Sequence, residues 1–213
     1  MRIAIIGAGC VGLVSGVGLA KHGNEVAIVD IDHQRVSLIN QAESPFHEEG
    51  LQPLIQDLLG RRLRATTDIR EAINGAEAIF ICVQTIINHD GDIDLAHVER
   101  ATIDIGTALN ETKTVPLVVV KSTVLPGTTE KVVCPLLEKC SGQKLGIGFR
   151  LACNPEFLRE GKALEDFLKP DRVIIGENDT AGGDILAQLY RDFDAPVLRV
   201  DLKTAEMIKY ASN

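Results

Sequence analysis

RIAIIGAGCVGLVSGVGLAKHGNEVAIVD, residues 2–30, decides how this chain folds. The apolar, β-branched run Ile3–Ile6 reads as a buried strand that ends at Gly7-Ala8-Gly9-Cys10-Val11-Gly12. Leu13–Lys21 then reads as a helix and Glu25–Val29 as a second buried strand closing on Asp30. A strand, a glycine turn, a helix and a strand ending in an acid together form a cradle for a dinucleotide. Gly7 permits the tight turn, Gly9 lets the backbone approach a pyrophosphate, and Gly12 lets the helix lie close on the strand. The helix N-terminus offers its unpaired N–H groups to phosphate. Asp30 follows Gly12 by eighteen residues, where a carboxylate accepts hydrogen bonds from an adenosine ribose and repels the 2′-phosphate of NADP. The spacing favours NAD.

Two other readings of this segment fail on its composition. Residues 3–20 are uncharged and approach the length of a membrane helix, but their five glycines disfavour a continuous helix. As a secretory signal the segment has only Arg2 for a basic region, and an apolar strand follows where a cleavage site belongs.

The remaining composition is that of an ordinary globular protein. With 213 residues, 45% of them hydrophobic and 24% charged, the chain can build one substantial core, or a core plus a small extension. A formal charge of -8 without a lysine or arginine cluster argues against nucleic acid and acidic membranes as partners, since counterion release needs several basic groups together. The cysteines, at 10, 82, 134, 140 and 153, are odd in number and form no C-x-x-C, so neither a disulfide framework nor a zinc knuckle is expected. The histidines at 22, 33, 47, 89 and 97 also lack ligand spacing and read as surface residues. No metal site is predicted. Reduced thiols in a cytoplasmic protein are the expectation, with most of the cysteines buried.

Past Asp30, apolar strands alternate with helical stretches and no internal repeat appears. This predicts an α/β fold: Rossmann-like, doubly wound, with a mainly parallel sheet and helices on both faces. Strands are expected at 2–6, 25–29, 79–83, 116–120, 149–152, 172–176 and 196–200, with a short one at 63–66. Helices are expected at 13–21, 34–41, 50–59, 68–73, 95–109, 128–138, 181–191 and 202–213. Polar groups follow the strands: Asp30, then Gln84-Thr85, Lys121-Ser122-Thr123 and Asn154-Pro155-Glu156. Ligands of open α/β sheets bind at the carboxyl ends of strands, so these groups should line one cleft beside the glycine turn. Taken singly, Thr123 could cap a turn and Glu156 could be a solvated loop acid. Lys209 and Asn213 lie four apart on a predicted helix and project from one face. That pair could stabilise an oxyanion or merely be solvated.

The motifs GAGCVG at 7–12, VDID at 29–32 followed by Arg35, SP at 44–45, DGDIDL at 90–95, KSTVLPGT at 121–128, NPEFLREG at 154–161 and AEMIKYASN at 205–213 carry a family resemblance. Over essentially its whole length the chain resembles the N-terminal portion of the UDP-glucose/GDP-mannose 6-dehydrogenase family. KSTVLPGTTEKVVCPLLEKCSG and the DAPV segment at 194–197 are especially similar to GDP-mannose 6-dehydrogenases. The resemblance implies oxidation of a sugar C6 alcohol to a carboxylate with two NAD+ reduced in turn. In the family a cysteine captures the aldehyde and water hydrolyses the resulting thioester. It also implies roles at matching positions. Gly7, Gly9, Cys10, Val11, Gly12, Asp30, Arg35, Thr85, Ser122, Thr123 and Glu160 line the NAD site. Glu156, Phe157, Leu158, Arg159, Lys209 and Asn213 face the nucleotide sugar. Glu156 is the acid/base that activates the hydrolytic water, Thr123 orients that water, and Lys209 with Asn213 holds the oxyanion.

None of the five cysteines stands in the family's nucleophile motif, which lies downstream of the helix beginning at 202. The expectation is therefore a cofactor-binding half: residues 1–201 as the NAD-binding domain and 202–213 as the start of a central helix leading to a substrate-binding half. The complete enzyme is expected to be a homodimer or higher oligomer, and the sugar stays open among UDP-glucose, GDP-mannose and N-acetylhexosamine derivatives. Ile86 stands where the family usually has proline, which predicts a looser loop. Two alternatives remain: a non-catalytic NAD-binding sensor or regulatory module, and a β-hydroxyacid-type dehydrogenase using a lysine on the following helix.

Overall fold

The computed structural model describes residues 1–87, 93–112 and 114–212. Asn213, His89 and the first part of the DGDIDL motif lie outside them. The elements run β1 (Arg2–Ile6), α1 (Cys10–Lys21), β2 (Glu25–Val29), α2 (His33–Asn40), α3 (Leu51–Leu58), β3 (Leu63–Thr66), α4 (Ile69–Ile73) and β4 (Ala78–Ile81). A ribbon of β5 (Ile86–Ile87) and β6 (Ile93–Asp94) follows, then α5 (Ala96–Leu109) and β7 (Leu117–Val120). A π-helical turn (Thr129–Val133) leads into α6 (Cys134–Ser141), β8 (Arg150–Cys153), α7 (Ala163–Leu168), β9 (Val173–Glu177), α8 (Thr180–Leu189), β10 (Val197–Asp201) and α9 (Leu202–Ser212).

Eight strands form one sheet in the order β3-β2-β1-β4-β7-β8-β9-β10. The chain winds outward from β1 to β3 and returns at β4, so the strand order reverses between β1 and β4, where a ligand crevice belongs. Side chains alternate across the pleat and separate two cores. Ile3 and Ile5 face α1, α3, α7 and α8 on one side. Ala4 and Ile6 face α4, α5, α6 and α9 on the other. The doubly wound architecture is as expected, and α1, apolar nearly all round, is buried along most of its length.

Several expectations need correction. β9 pairs antiparallel with β8, and β10 parallel with β9, so the last two strands run against the other six. Apolar runs encode burial but not direction. The helix expected at 128–138 is π-helical before it is α-helical. Pro135, in its first α turn, has no N–H to donate to the carbonyl four residues back, and the ladder resets there. The six-residue α7 and the β5–β6 ribbon are too short to show a period, and neither was anticipated. The ribbon also takes Ile86 into pairing with Asp94, where a looser loop was expected. Only Cys82 and Cys153 are buried, whereas Cys10, Cys134 and Cys140 are partly exposed. Finally, a basic cluster does exist. Arg2, Arg61, Arg62 and Arg64 line a cleft of about 210 Å³ at the amino edge of the sheet, with Arg61 beside Asp57, Arg62 donating to the Gly23 carbonyl and Arg64 held by Glu71.

Candidate active site at the carboxyl edge of the sheet

The three glycines of the first turn differ in what surrounds them. Gly7 has φ +109°, and a Cβ on it would lie 2.7 Å from the Cys82 carbonyl oxygen, so the turn passes directly against the end of β4. A Cβ on Gly12 would meet the Gly7 carbonyl oxygen at 1.9 Å, which ties this glycine to close packing of helix on strand. Gly9 is unlike both: its φ is -71° and a Cβ there would meet nothing within 4 Å. The protein itself does not require glycine at 9. What the missing side chain leaves is open space over the N-terminus of α1, a helix end with no side-chain cap. Free N–H groups facing an open cradle fit a pyrophosphate.

Asp30 closes the cradle from β2. Its Oδ2 accepts from the Ala8 N–H at 2.6 Å and its Oδ1 from the Asp32 N–H at 2.9 Å, so the acid braces the glycine turn. Arg35 stands over it, 3.7 Å from Asp30 Oδ2 and 3.5 Å from Asp32 Oδ2. The loops after β4 and β7 are laced together. Ser122 Oγ donates to the Val83 carbonyl at 2.6 Å, and Thr85 Oγ1 donates to the Thr123 carbonyl at 2.9 Å. The predicted Thr85, Ser122 and Thr123 thus form one surface.

Glu156 and Lys209, read separately in the sequence, form an ion pair of 2.9 Å in which both side chains are about nine-tenths buried. The other Glu156 oxygen accepts from the Leu158 N–H at 2.6 Å. Glu156 lies near enough to the glycine turn for its charge to act on Cys10. The Cys10 thiol is held above its ordinary range first by burial and then by the nearby carboxylates of Glu48, Glu156 and Glu160. Both effects favour the protonated thiol at Cys10.

Two cations lie over the Phe157 ring, the Arg172 guanidinium 4.3 Å and Lys209 Nζ 5.6 Å from its centre. Leu158 is partly buried and packs against the core on the α1 side of the sheet. Arg159 turns away to Asp166, with hydrogen bonds of 2.6 and 3.1 Å from its guanidinium and 2.8 Å from its N–H, which hold the Asp166 carboxyl below its usual range. Among the described residues, no group of three or more potential ligands gathers to hold a metal, and no helix is long and apolar enough to cross a membrane.

Three groups here had no individual role in the sequence reading, which placed Lys121 only among the strand-end polar residues. Lys121 is buried with its Nζ 2.9 Å from Asn154 Oδ1, and Arg172 is the second cation on Phe157. Glu206, 1% exposed, accepts from the Gly127 N–H and, at 2.8 Å, from the Thr129 N–H. A sequence signal for Glu206 existed. Leu202, Ala205, Glu206 and Lys209 fall at i, i+3, i+4 and i+7, the buried stripe of α9, and two charges on such a stripe need dedicated partners.

Residues 1–194 match the model of the UDP-glucose/GDP-mannose dehydrogenase family, NAD binding domain. The whole chain is 47% identical to 49% of a GDP-mannose 6-dehydrogenase of Pseudomonas putida. It is 40% identical to half of a UDP-glucose 6-dehydrogenase of Haloferax volcanii. Among solved structures it superposes on a ternary complex of GDP-mannose dehydrogenase from Pseudomonas aeruginosa with a TM-score of 0.98 and 45% identity, covering all of this chain and 49% of that one. The chain thus spans about half the length of the relatives it matches.

Proposed function

Since the chain belongs to the UDP-glucose/GDP-mannose dehydrogenase family, through its NAD-binding domain, we propose that it holds NAD along the β1–β4 edge and contributes the acid/base apparatus for oxidising a nucleotide-sugar C6 alcohol to a carboxylate. The observation that carries the reading is the buried Glu156–Lys209 pair, on a sheet whose first turn holds the open Gly9 cradle. Gly7, Gly9, Cys10, Val11 and Gly12 form the pyrophosphate turn. Asp30 accepts from the adenosine ribose and Arg35 flanks it, while Thr85, Ser122, Thr123 and Glu160 border the remainder of the cofactor. NAD, when bound, supplies the hydride acceptor.

The chain's own residues then manage protons and charge. Glu156 takes a proton from the attacking water, Thr123 orients that water, and Lys209 offsets negative charge on oxygen in the transition state. Glu156 and Lys209 compensate each other until substrate groups enter between them. Phe157, Leu158 and Arg159 lie on the substrate side, with Arg159 engaged by Asp166. Asn213, four residues on from Lys209 in the sequence, is assigned the amide that helps hold the oxyanion. Residues 1–201 form the cofactor domain, and α9 begins the connection toward the sugar-binding part of a longer, oligomeric and cytoplasmic enzyme. GDP-mannose is the first substrate to try, on the strength of the 47% identity.

The cofactor half is tested on this chain. Millimolar NAD+ should raise the melting temperature and NADP+ should raise it far less; equal shifts would remove Asp30 as the selector. The catalytic half is tested on the longer gene product by screening GDP-mannose, UDP-glucose and N-acetylhexosamine nucleotides for NADH release. There Glu156→Gln should slow the hydrolytic step far more than the first hydride transfer, and normal turnover would eliminate Glu156 as the base.

A further inference from the structure

We infer that Lys121 and Tyr190 are positioning residues for Glu156, acting through Asn154 as a common anchor. This deepens the functional reading above and rests on it for Glu156 as the working base. The anchor is built from four separate elements. Asn154, 2% exposed, follows β8 directly. Its N–H donates to the Val120 carbonyl of β7 at 2.9 Å and its Nδ2 to the Ile174 carbonyl of β9 at 2.8 Å. Its Oδ1 accepts from Lys121 Nζ at 2.9 Å and from the Tyr190 hydroxyl, at the end of α8, at 2.6 Å. The amide can sit only one way round, because a flipped side chain would set its NH2 against an ammonium and a hydroxyl donor.

The next two residues leave little freedom for that constraint to dissipate. A residue preceding proline is confined to extended conformations, and Pro155 has a fixed φ. The direction in which Glu156 leaves the sheet is therefore set at Asn154, and the carboxylate arrives where both of its oxygens are engaged, one by Lys209 and one by the Leu158 N–H. The anchor is also costly to build. Lys121 is a buried cation, 4% exposed, for which no carboxylate partner is found among the described residues. Its neighbours are the Asn154 oxygens, the Tyr190 hydroxyl and, 5.9 Å away, the ring of Phe167. Tyr190 is equally buried, and burial raises its hydroxyl's pKa, which keeps the hydroxyl a donor. A cation and a phenol both turned onto one asparagine, in a core that could hold apolar residues, point to a demand for position.

The test uses this chain and needs no turnover. The amide proton of Leu158 reports on its bond to Glu156 Oε2 and is identified in a leucine-labelled 1H–15N spectrum by its displacement in Glu156→Gln. Lys121→Met should move that signal most of the way to its Glu156→Gln position, and Tyr190→Phe should move it a shorter step in the same direction. Ile105→Val, a comparable loss of packing on the opposite face of the sheet, should leave it in place. A Leu158 signal unmoved in folded Lys121→Met overturns the inference. If that variant does not fold, Tyr190→Phe decides by the same criterion. Absence of NADH release by the longer protein would instead defeat the functional reading, so the two failures are told apart.

Discussion

Gly9 and Gly12 look alike in the sequence and are opposite in the structure. Gly12→Ala forces a methyl into the Gly7 carbonyl, a backbone group that cannot swing aside, and should cost about 3 kcal/mol or more in urea unfolding. Gly9→Ala should leave the melting temperature nearly unchanged, because φ is ordinary and the space is empty, yet weaken NAD+ binding on the order of tenfold in calorimetry. A Gly9→Ala protein that binds NAD+ normally would show that the cradle is not where phosphate lies. Asp30 is likewise both ligand and brace. Asp30→Ala removes two backbone hydrogen bonds and releases Arg35, so stability should fall by about 1–3 kcal/mol. The preference for NAD+ over NADP+ should narrow as well, since a freed guanidinium can meet a 2′-phosphate. Parallel titrations with the two cofactors would check this.

Between elements, the principal joint is that of α9 with the turns after β7 and β8. Glu206 ties the helix to the Gly127 and Thr129 amides, and Lys209, one turn on, ties it to Glu156. Removing one member of a buried ion pair leaves the other uncompensated, so Lys209→Met and Glu156→Gln should each destabilise by about 3 kcal/mol. The double variant should lose much less than the sum, and a double-mutant cycle by urea unfolding measures the difference. Additive losses would mean that the two side chains do not pair in solution. This joint could not be read in the sequence. Glu156 and Lys209 are 53 residues apart, and helical periodicity gives the face of α9 without the strand end over which it lies. The glycine turn was readable because each of its residues answers to a local steric demand. Lys121 showed only as the residue after an all-apolar strand, with nothing to separate a buried lysine from an exposed one.

For the whole molecule, alkaline stability follows from thiols shut into the two cores. Burial pushes the Cys82 thiol from 9.0 up to about 12, and that of Cys153 up as well. Between those limits the folded chain keeps the Cys82 proton and the unfolded chain releases it, so stability is intact below pH 9 and falls as pH rises. The slope is about 1.4 kcal/mol per pH unit for each such thiol. Urea midpoints between pH 8 and 11 should show this decline, and Cys82→Ala should flatten it. An unaltered slope in the variant would assign the decline to other groups. The doubly wound plan was legible because alternating strands and helices leave few topologies open. The reversal of β9 and β10 was not, because burial alone does not fix a strand's direction.

That reversal changes which parts of the chain can evolve at the site. In a wholly parallel sheet only strand exits reach the ligand side, and each is bound to the start of a helix. Here the entrance to β9 arrives there too, bringing Arg172 to Phe157 and the Ile174 carbonyl to Asn154. The Pro170–Arg172 approach is a short segment free of helix-starting duty, so its residues can be exchanged to retune the rim while the phosphate-facing turn keeps its form.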